Sequence, residues 1–191
     1  MLTDLLTSIA GCNKCSLRPG GLAVPFIGQH PKCILLGEAP GLNEVLQGVP
    51  FVGTAGKILM SSFLEFGLTR DDFFIINSAN CRPVKVKSGR ESNGKPSYGQ
   101  ISVCWAANSF PFIKATGIKN VMALGSYACF ASTGRKGKIS DSVGDVVQIE
   151  DIRIHINYHP AATLYDRSKS GIFKENIKIF CENLREAACV T

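Results

Sequence analysis

Short apolar runs bounded by Gly, Pro and Asn, alternating with stretches of helical periodicity, predict an α/β protein. The expected architecture is a three-layer α/β/α sandwich with a central, mostly parallel four-stranded sheet. Composition agrees: 45% hydrophobic against 19% charged residues in a 191-residue chain supplies a sizeable core and is expected to fold as one domain over 1–191. The segment ahead of Cys12 reads as a short helix. Cys33–Gly37 is the first strand, an apolar run closed by a glycine ahead of Pro40. Thr54–Phe66 has helical periodicity, and Phe73–Asn77 is the second strand, closed by polar residues. A long helix is expected over about Tyr98–Ala115. Asn120–Leu124 is the third strand, stopped by Gly125, and a helix follows at Ser126–Ala131. Ile152–Asn157 is the fourth strand, with an extra edge strand at Val146–Ile149, and Ile172–Ala187 closes the chain as a helix. Val84–Pro96 and Gly134–Gly144, rich in Gly and in Lys and Arg, read as linkers.

No window approaches the ~20 apolar residues that span a bilayer, so no membrane partner is expected. A net charge of +6 suits a polyanionic partner. Ile9-Ala10-Gly11-Cys12 looks like a lipoprotein cleavage box, yet no basic segment precedes it, Asp4 interrupts it, and its apolar stretch is too short. A cytoplasmic protein is expected, and in a reducing compartment spaced cysteines are more often metal or cluster ligands than disulfides. Eight are present, at 12, 15, 33, 81, 104, 129, 181 and 189. Cys12-x-x-Cys15 puts two thiolates within reach of one metal, and Cys81 and Cys104 could complete a site for zinc or for an iron-sulfur cluster. Cys33, Cys129 and Cys181 read as core residues.

In an open α/β sheet the ligand lies outside the carboxyl ends of the strands. The segments found there are Gly37-Glu38-Ala39-Pro40-Gly41, Asn77 to Pro83, Gly125-Ser126 and Tyr158-His159-Pro160-Ala161-Ala162. Neither Gly53-Thr-Ala-Gly56-Lys57-Ile58 nor Gly134-Arg-Lys-Gly137-Lys138 completes a phosphate-cradling Walker loop, which excludes nucleotide hydrolysis on that pattern. Cys104 with His159 as a thiol nucleophile and base lacks a glycine-rich nucleophile turn.

Gly37-Glu38-Ala39-Pro40-Gly41 and Gly48-Val-Pro-Phe51-Val-Gly53, with Cys12-x-x-Cys15, Asn77-Ser-Ala-Asn-Cys81-Arg82-Pro83 and His159-Pro160-Ala161-Ala162, closely resemble the family 4 uracil-DNA glycosylases, the iron-sulfur branch of their superfamily. The match runs from about Gly11 to Leu164. The resemblance implies an enzyme that flips uracil out of DNA, single- or double-stranded, and hydrolyses its N-glycosidic bond. It implies that Asn77 reads the uracil edge, that Phe51 stacks on the base, and that His159 donates to the anion growing on uracil O2. Glu38 stands where the best-known uracil glycosylases carry Gln, and Ala39 where they carry the water-activating Asp. Glu38 or a backbone carbonyl would then position water. Glu44 matches an acid near the uracil C5 edge. Cys12, Cys15, Cys81 and Cys104 would bind a structural [4Fe-4S] cluster, with residues from about 1 to 20 as the cluster-binding segment. A monomer is expected, nucleoid-associated if the source is bacterial. The competing expectation is a non-catalytic or weakly catalytic binder of uracil-containing DNA on the same fold. The chain departs from the family in a longer, more basic segment between Cys81 and Cys104, and in Lys138-Ile-Ser-Asp-Ser-Val-Gly144 before the last strand.

Overall fold

The computed structural model describes residues 2–189, with side chains through Glu186. Along it run α1 (Leu2–Gly11), β1 (Phe26–Ile27), β2 (Cys33–Gly37), α2 (Leu42–Gln47), α3 (Thr54–Leu64), β3 (Phe73–Asn77), β4 (Val84–Lys87) and β5 (Arg90–Asn93). There follow α4 (Tyr98–Cys104), α5 (Phe110–Thr116), β6 (Asn120–Leu124), α6 (Ser126–Thr133), β7 (Val146–Ile149), β8 (Ile152–Asn157), α7 (Ala162–Tyr165) and α8 (Lys169–Cys189).

The central sheet has six strands rather than the expected four, in the order β1-β3-β2-β6-β8-β7. Its parallel centre is made of the four expected strands, paired in register from Cys33↔Phe73 through Leu124↔Asn157. β7 is the expected antiparallel edge, and β1 adds a second one against β3. Two residues carry no periodicity, so only the free edge of β3 makes β1 a strand.

Successive side chains of a strand point to opposite faces, and the core divides accordingly. Ile34, Leu36, Phe74, Ile76, Val121 and Ala123 pack with Ile9 of α1, Phe112 of α5 and Ala128 of α6. Leu35, Phe73, Ile75, Met122 and Leu124 pack on the other face with Leu59 and Phe63 of α3 and Phe173, Ile177 and Phe180 of α8. This is the predicted three-layer sandwich.

Two further expectations are corrected. The helix expected over 98–115 is broken by a π-helical turn at Trp105–Ser109, ahead of Pro111, which has no N–H to continue a regular ladder. The Val84–Pro96 linker is a hairpin, β4 on β5, joined by Ser88 and Gly89, both at positive φ (52° and 73°). A two-residue turn of that hand matches the twist of the strands it joins. Residues 134–144 are largely loop as expected, with one 3₁₀ turn at Ile139–Asp141.

Candidate active site

Strand order reverses at β2, with β3 on one side and β6 and β8 on the other, so a crevice opens beyond the carboxyl ends there. An open cleft of about 480 Å³ fills it, and its walls carry Glu38, Ala39, Glu44, Phe51, Asn77 and His159. Residues 38 to 159 in sequence are thus gathered into one site.

Asn77 ends β3 and is buried, and its main-chain carbonyl accepts from Ser109 Oγ at 2.7 Å. The π-helical turn brings Ser109 to that carbonyl. The Asn77 amide lies on the cleft wall, one donor group beside one acceptor. Gly37 is required opposite it, since a Cβ there would stand 2.3 Å from Asn77 Oδ1 and 2.8 Å from the Phe51 ring.

Phe51 holds a positive φ of 54°, a strained conformation for a bulky residue. Several contacts enforce it. Arg70 donates to the carbonyls of Phe51 at 3.2 Å and Pro50 at 2.5 Å, and Gly56 leaves room for the Phe51 carbonyl where a Cβ would lie 2.0 Å from it. Glu44 accepts from the backbone N–H groups of Val52 (3.1 Å) and Gly53 (2.7 Å) through Oε1, and from Gly41 (3.1 Å) through Oε2. Glu44 lines the cleft, but its carboxylate is committed to holding the start of α2 against the Phe51 loop. The Phe51 ring lies 5.9 Å from the His159 ring at 28°, nearly parallel.

His159 follows β8. Burial pushes its pKa down to about 4, against the opposing pull of Glu44, so the ring is neutral at pH 7. Ala161 N–H donates to Nδ1 at 3.2 Å, which assigns the proton to Nε2 and leaves an N–H donor for a guest. Glu38 is the counterpart acid. Burial raises its pKa above the ordinary carboxylate range, with the Lys95 ammonium pulling the other way. Ala39 beside it presents only a methyl group.

Lys95 reaches the cleft because the hairpin is anchored. Buried Arg82 donates from Nε to Asn93 Oδ1 at 2.8 Å and pairs with Glu91 at 3.6 Å, which sets Asn93, Gly94 and Lys95 in the cleft wall. The Ser88-Gly89 pair is a turn signal that could have revealed this hairpin in place of the expected linker. Arg70 and Ser109 carried none, because their partners are distant main-chain carbonyls. At the cleft mouth Tyr165 is 90% exposed.

A second, small cavity behind the site is lined by Cys12, Cys15, Cys81 and Cys104 together. Among the described residues, no group of three or more His, Cys, Asp or Glu side chains stands at metal-holding separations. The donors around the cavity do suit anionic sulfur. Asn108 Nδ2 donates to Cys12 Sγ (3.4 Å) and Cys104 Sγ (3.7 Å), and Asn80 donates to Cys104 Sγ from its backbone N–H (3.4 Å) and Nδ2 (3.6 Å). Arg18 Nη1 is buried on the same cavity without a hydrogen-bond partner. Cys33, Cys129 and Cys181 are buried in the two core layers, as expected.

Residues 24–185 match the family model described as the uracil DNA glycosylase superfamily. The chain is similar to a "Type-4 uracil-DNA glycosylase" of Pyrobaculum aerophilum, 32% identical over 94% of this chain and 92% of that protein. Proteins with the same description from Archaeoglobus fulgidus and Sulfurisphaera tokodaii are 32% and 31% identical, over 86% and 93% of this chain and 83% and 82% of theirs.

Proposed function

The chain belongs to the uracil DNA glycosylase superfamily, and from that premise we propose that it is a DNA-repair glycosylase that flips uracil out of DNA and hydrolyses its N-glycosidic bond, leaving an abasic site. The observation that carries this reading is a histidine with Nδ1 occupied and Nε2 left as its donor, sharing one cleft with the Asn77 side chain and stacked near the Phe51 ring.

The reaction follows from what each group can do. The Phe51 face stacks on the base. Asn77 Oδ1 accepts from uracil N3–H while Nδ2 donates to O4, a pairing cytosine would not satisfy. As the bond to the sugar lengthens, electrons flow into the ring and charge grows on O2. His159 Nε2–H is the donor for that oxygen, already in place and with no proton to acquire or lose. The sugar cation that remains is captured by water. Glu38, its basicity raised by burial, orients that water and takes its proton. Strain at Phe51, enforced by Arg70 and Glu44, fixes the stacking ring relative to both polar readers.

We read Cys12, Cys15, Cys81 and Cys104 as the ligands of a [4Fe-4S] cluster. The shared cavity, the N–H groups aimed at sulfur and the unpartnered buried Arg18 Nη1 fit an anionic cluster. With those four residues as ligands, a cluster would cross-link the first ~20 residues to the loop after β3 and to the end of α4. The reading further takes residues 1–191 as one domain, acting as a cytoplasmic monomer on uracil-containing DNA.

Ala39 favours a second reading, a weakly catalytic or non-catalytic binder, because no carboxylate stands at that point of the cleft to activate water. Release of free uracil from a labelled oligonucleotide supports the enzyme. Uracil-dependent binding without release supports the binder.

A further inference from the structure

Just outside the cleft lies a group of rings that takes no part in the chemistry above. Tyr98, the first residue of α4, packs its ring on Phe130 (4.5 Å, 69°) and Tyr127 (5.5 Å, 38°) of α6. The Lys136 ammonium stands over Tyr98 and Phe130, 5.2 and 5.4 Å from their centroids. A group serving only the core would be covered, yet Tyr98 is 37% exposed. Its position is fixed all the same. Ser97 and Gln100 cap each other's backbone N–H across the first turn of α4, at 3.2 and 2.7 Å.

The rings adjoin the cleft wall, with Tyr98 three residues beyond the wall residue Lys95. Helix α6 starts from Gly125, whose Cβ position lies 3.0 Å from His159 Cβ. Tyr127 and Phe130 pack on the same core cluster as Ala39, and the Tyr127 phenol lies within electrostatic reach of Glu38. The patch therefore extends the wall past Glu38 and Ala39. Rigid ring faces under a cation match a nucleotide, with the base on the aromatic surface and the phosphate at the ammonium.

We propose that Tyr98, Tyr127 and Phe130, with Lys136, form a stacking platform for the base adjacent to the one held in the cleft, within a single-stranded stretch of the bound DNA. This rests on the glycosylase reading. A duplex keeps that neighbouring base stacked and paired, so the platform acts on an unpaired strand, and every nucleobase has a face it can use.

The test is equilibrium binding of the holoprotein to single-stranded oligonucleotides carrying one 2′-fluorinated, cleavage-resistant deoxyuridine, with uracil release from the ordinary strand measured alongside. Tyr98→Ala should weaken binding about tenfold. Tyr98→Phe should bind like the unmodified protein, and Lys136→Gln should weaken binding less and flatten its salt dependence. Removing the flanking base, on one side and then the other, should cost the unmodified protein about tenfold at one position. Tyr98→Ala should lose nothing further there. Equal losses in both proteins at both positions, or unchanged affinity in Tyr98→Ala, overturns the platform while leaving uracil release intact. A protein that neither releases uracil nor prefers the uracil-bearing strand overturns the reading of the cleft itself, and the platform with it.

Discussion

Replacing His159 by alanine removes the one donor assigned to the developing charge on uracil O2. Loss of one such donor costs about 10²–10³ in rate, or about 2.7–4 kcal/mol of transition-state stabilisation. The upper part of that range suits this site, because Nδ1 is already bonded to Ala161 N–H and Nε2 is the only ring nitrogen left to act. The ring also donates as a neutral group. With its pKa held at about 4, roughly one molecule in 10³ is protonated at pH 7, so His159 imposes no titration on the rate between about pH 5.5 and 8. The assay is single-turnover release of uracil with enzyme in excess, beside equilibrium binding to a cleavage-resistant strand. His159→Ala should lower the rate at saturation while affinity changes little, and thermal melting should show that the fold persists. Cleavage at the unmodified rate refutes the mechanism. Loss of affinity with an unchanged rate at saturation makes His159 a DNA contact instead. A rate that falls with a midpoint near pH 6.5 and loses this dependence in His159→Ala refutes the neutral donor.

Four further outcomes are expected. Asn77→Asp should lower uracil release by about 10- to 100-fold and admit cytosine, whose amine donates where uracil O4 accepts; product analysis on both substrates decides, and unchanged preference removes Asn77 as the reader. Glu44→Ala should lower melting temperature and uracil release together, because it leaves three backbone N–H groups without an acceptor; gain of thymine excision at full stability would instead make Glu44 the guard of the C5 edge. The purified protein should be brown with about four irons per chain, and Cys81→Ala should lose iron and solubility, whereas a colourless protein with stoichiometric zinc removes the cluster. His155, buried against Phe180 with its pKa lowered to about 4 by burial and by Arg153, is protonated more readily in the unfolded chain. Its contribution is full above about pH 6.5 and is lost as pH falls toward 4, about 3 kcal/mol in all, so His155→Phe should flatten the decline of melting temperature over that window.

The four central strands were legible because buried parallel strands are apolar throughout and end on glycine or polar residues, and local composition records both. Glu38, Ala39, Asn77 and His159 were legible as cleft residues because they follow strands, and a parallel sheet sends every strand's carboxyl end to one edge, whereas Phe51 and Glu44 came only from the family resemblance. Local signals failed where partners are far away in the chain. β1 exists because β3 has a free edge, and two residues carry no pattern of their own. The long helix reads as continuous, yet a π-helical turn places Ser109 under Asn77 and Asn108 against two cysteines. The Val84–Pro96 segment has a linker's composition, and buried Arg82 makes it a docked wall of the cleft.

By itself the sequence determined the layering and the sheet's direction, because burial periodicity and turn residues act over a few neighbours. Only the tertiary structure decided what the site residues are free to do. Burial lowers the His159 pKa to about 4, and the Ala161 N–H occupies Nδ1, which leaves Nε2 as the nitrogen open to the cleft. Glu44 is withdrawn into a clamp because three backbone groups converge on it. Phe51 is held in a strained conformation because Arg70, Gly56 and Glu44 surround it. Protonation, commitment and strain arise from fields and contacts that sum over the whole fold, and no short stretch of chain contains them.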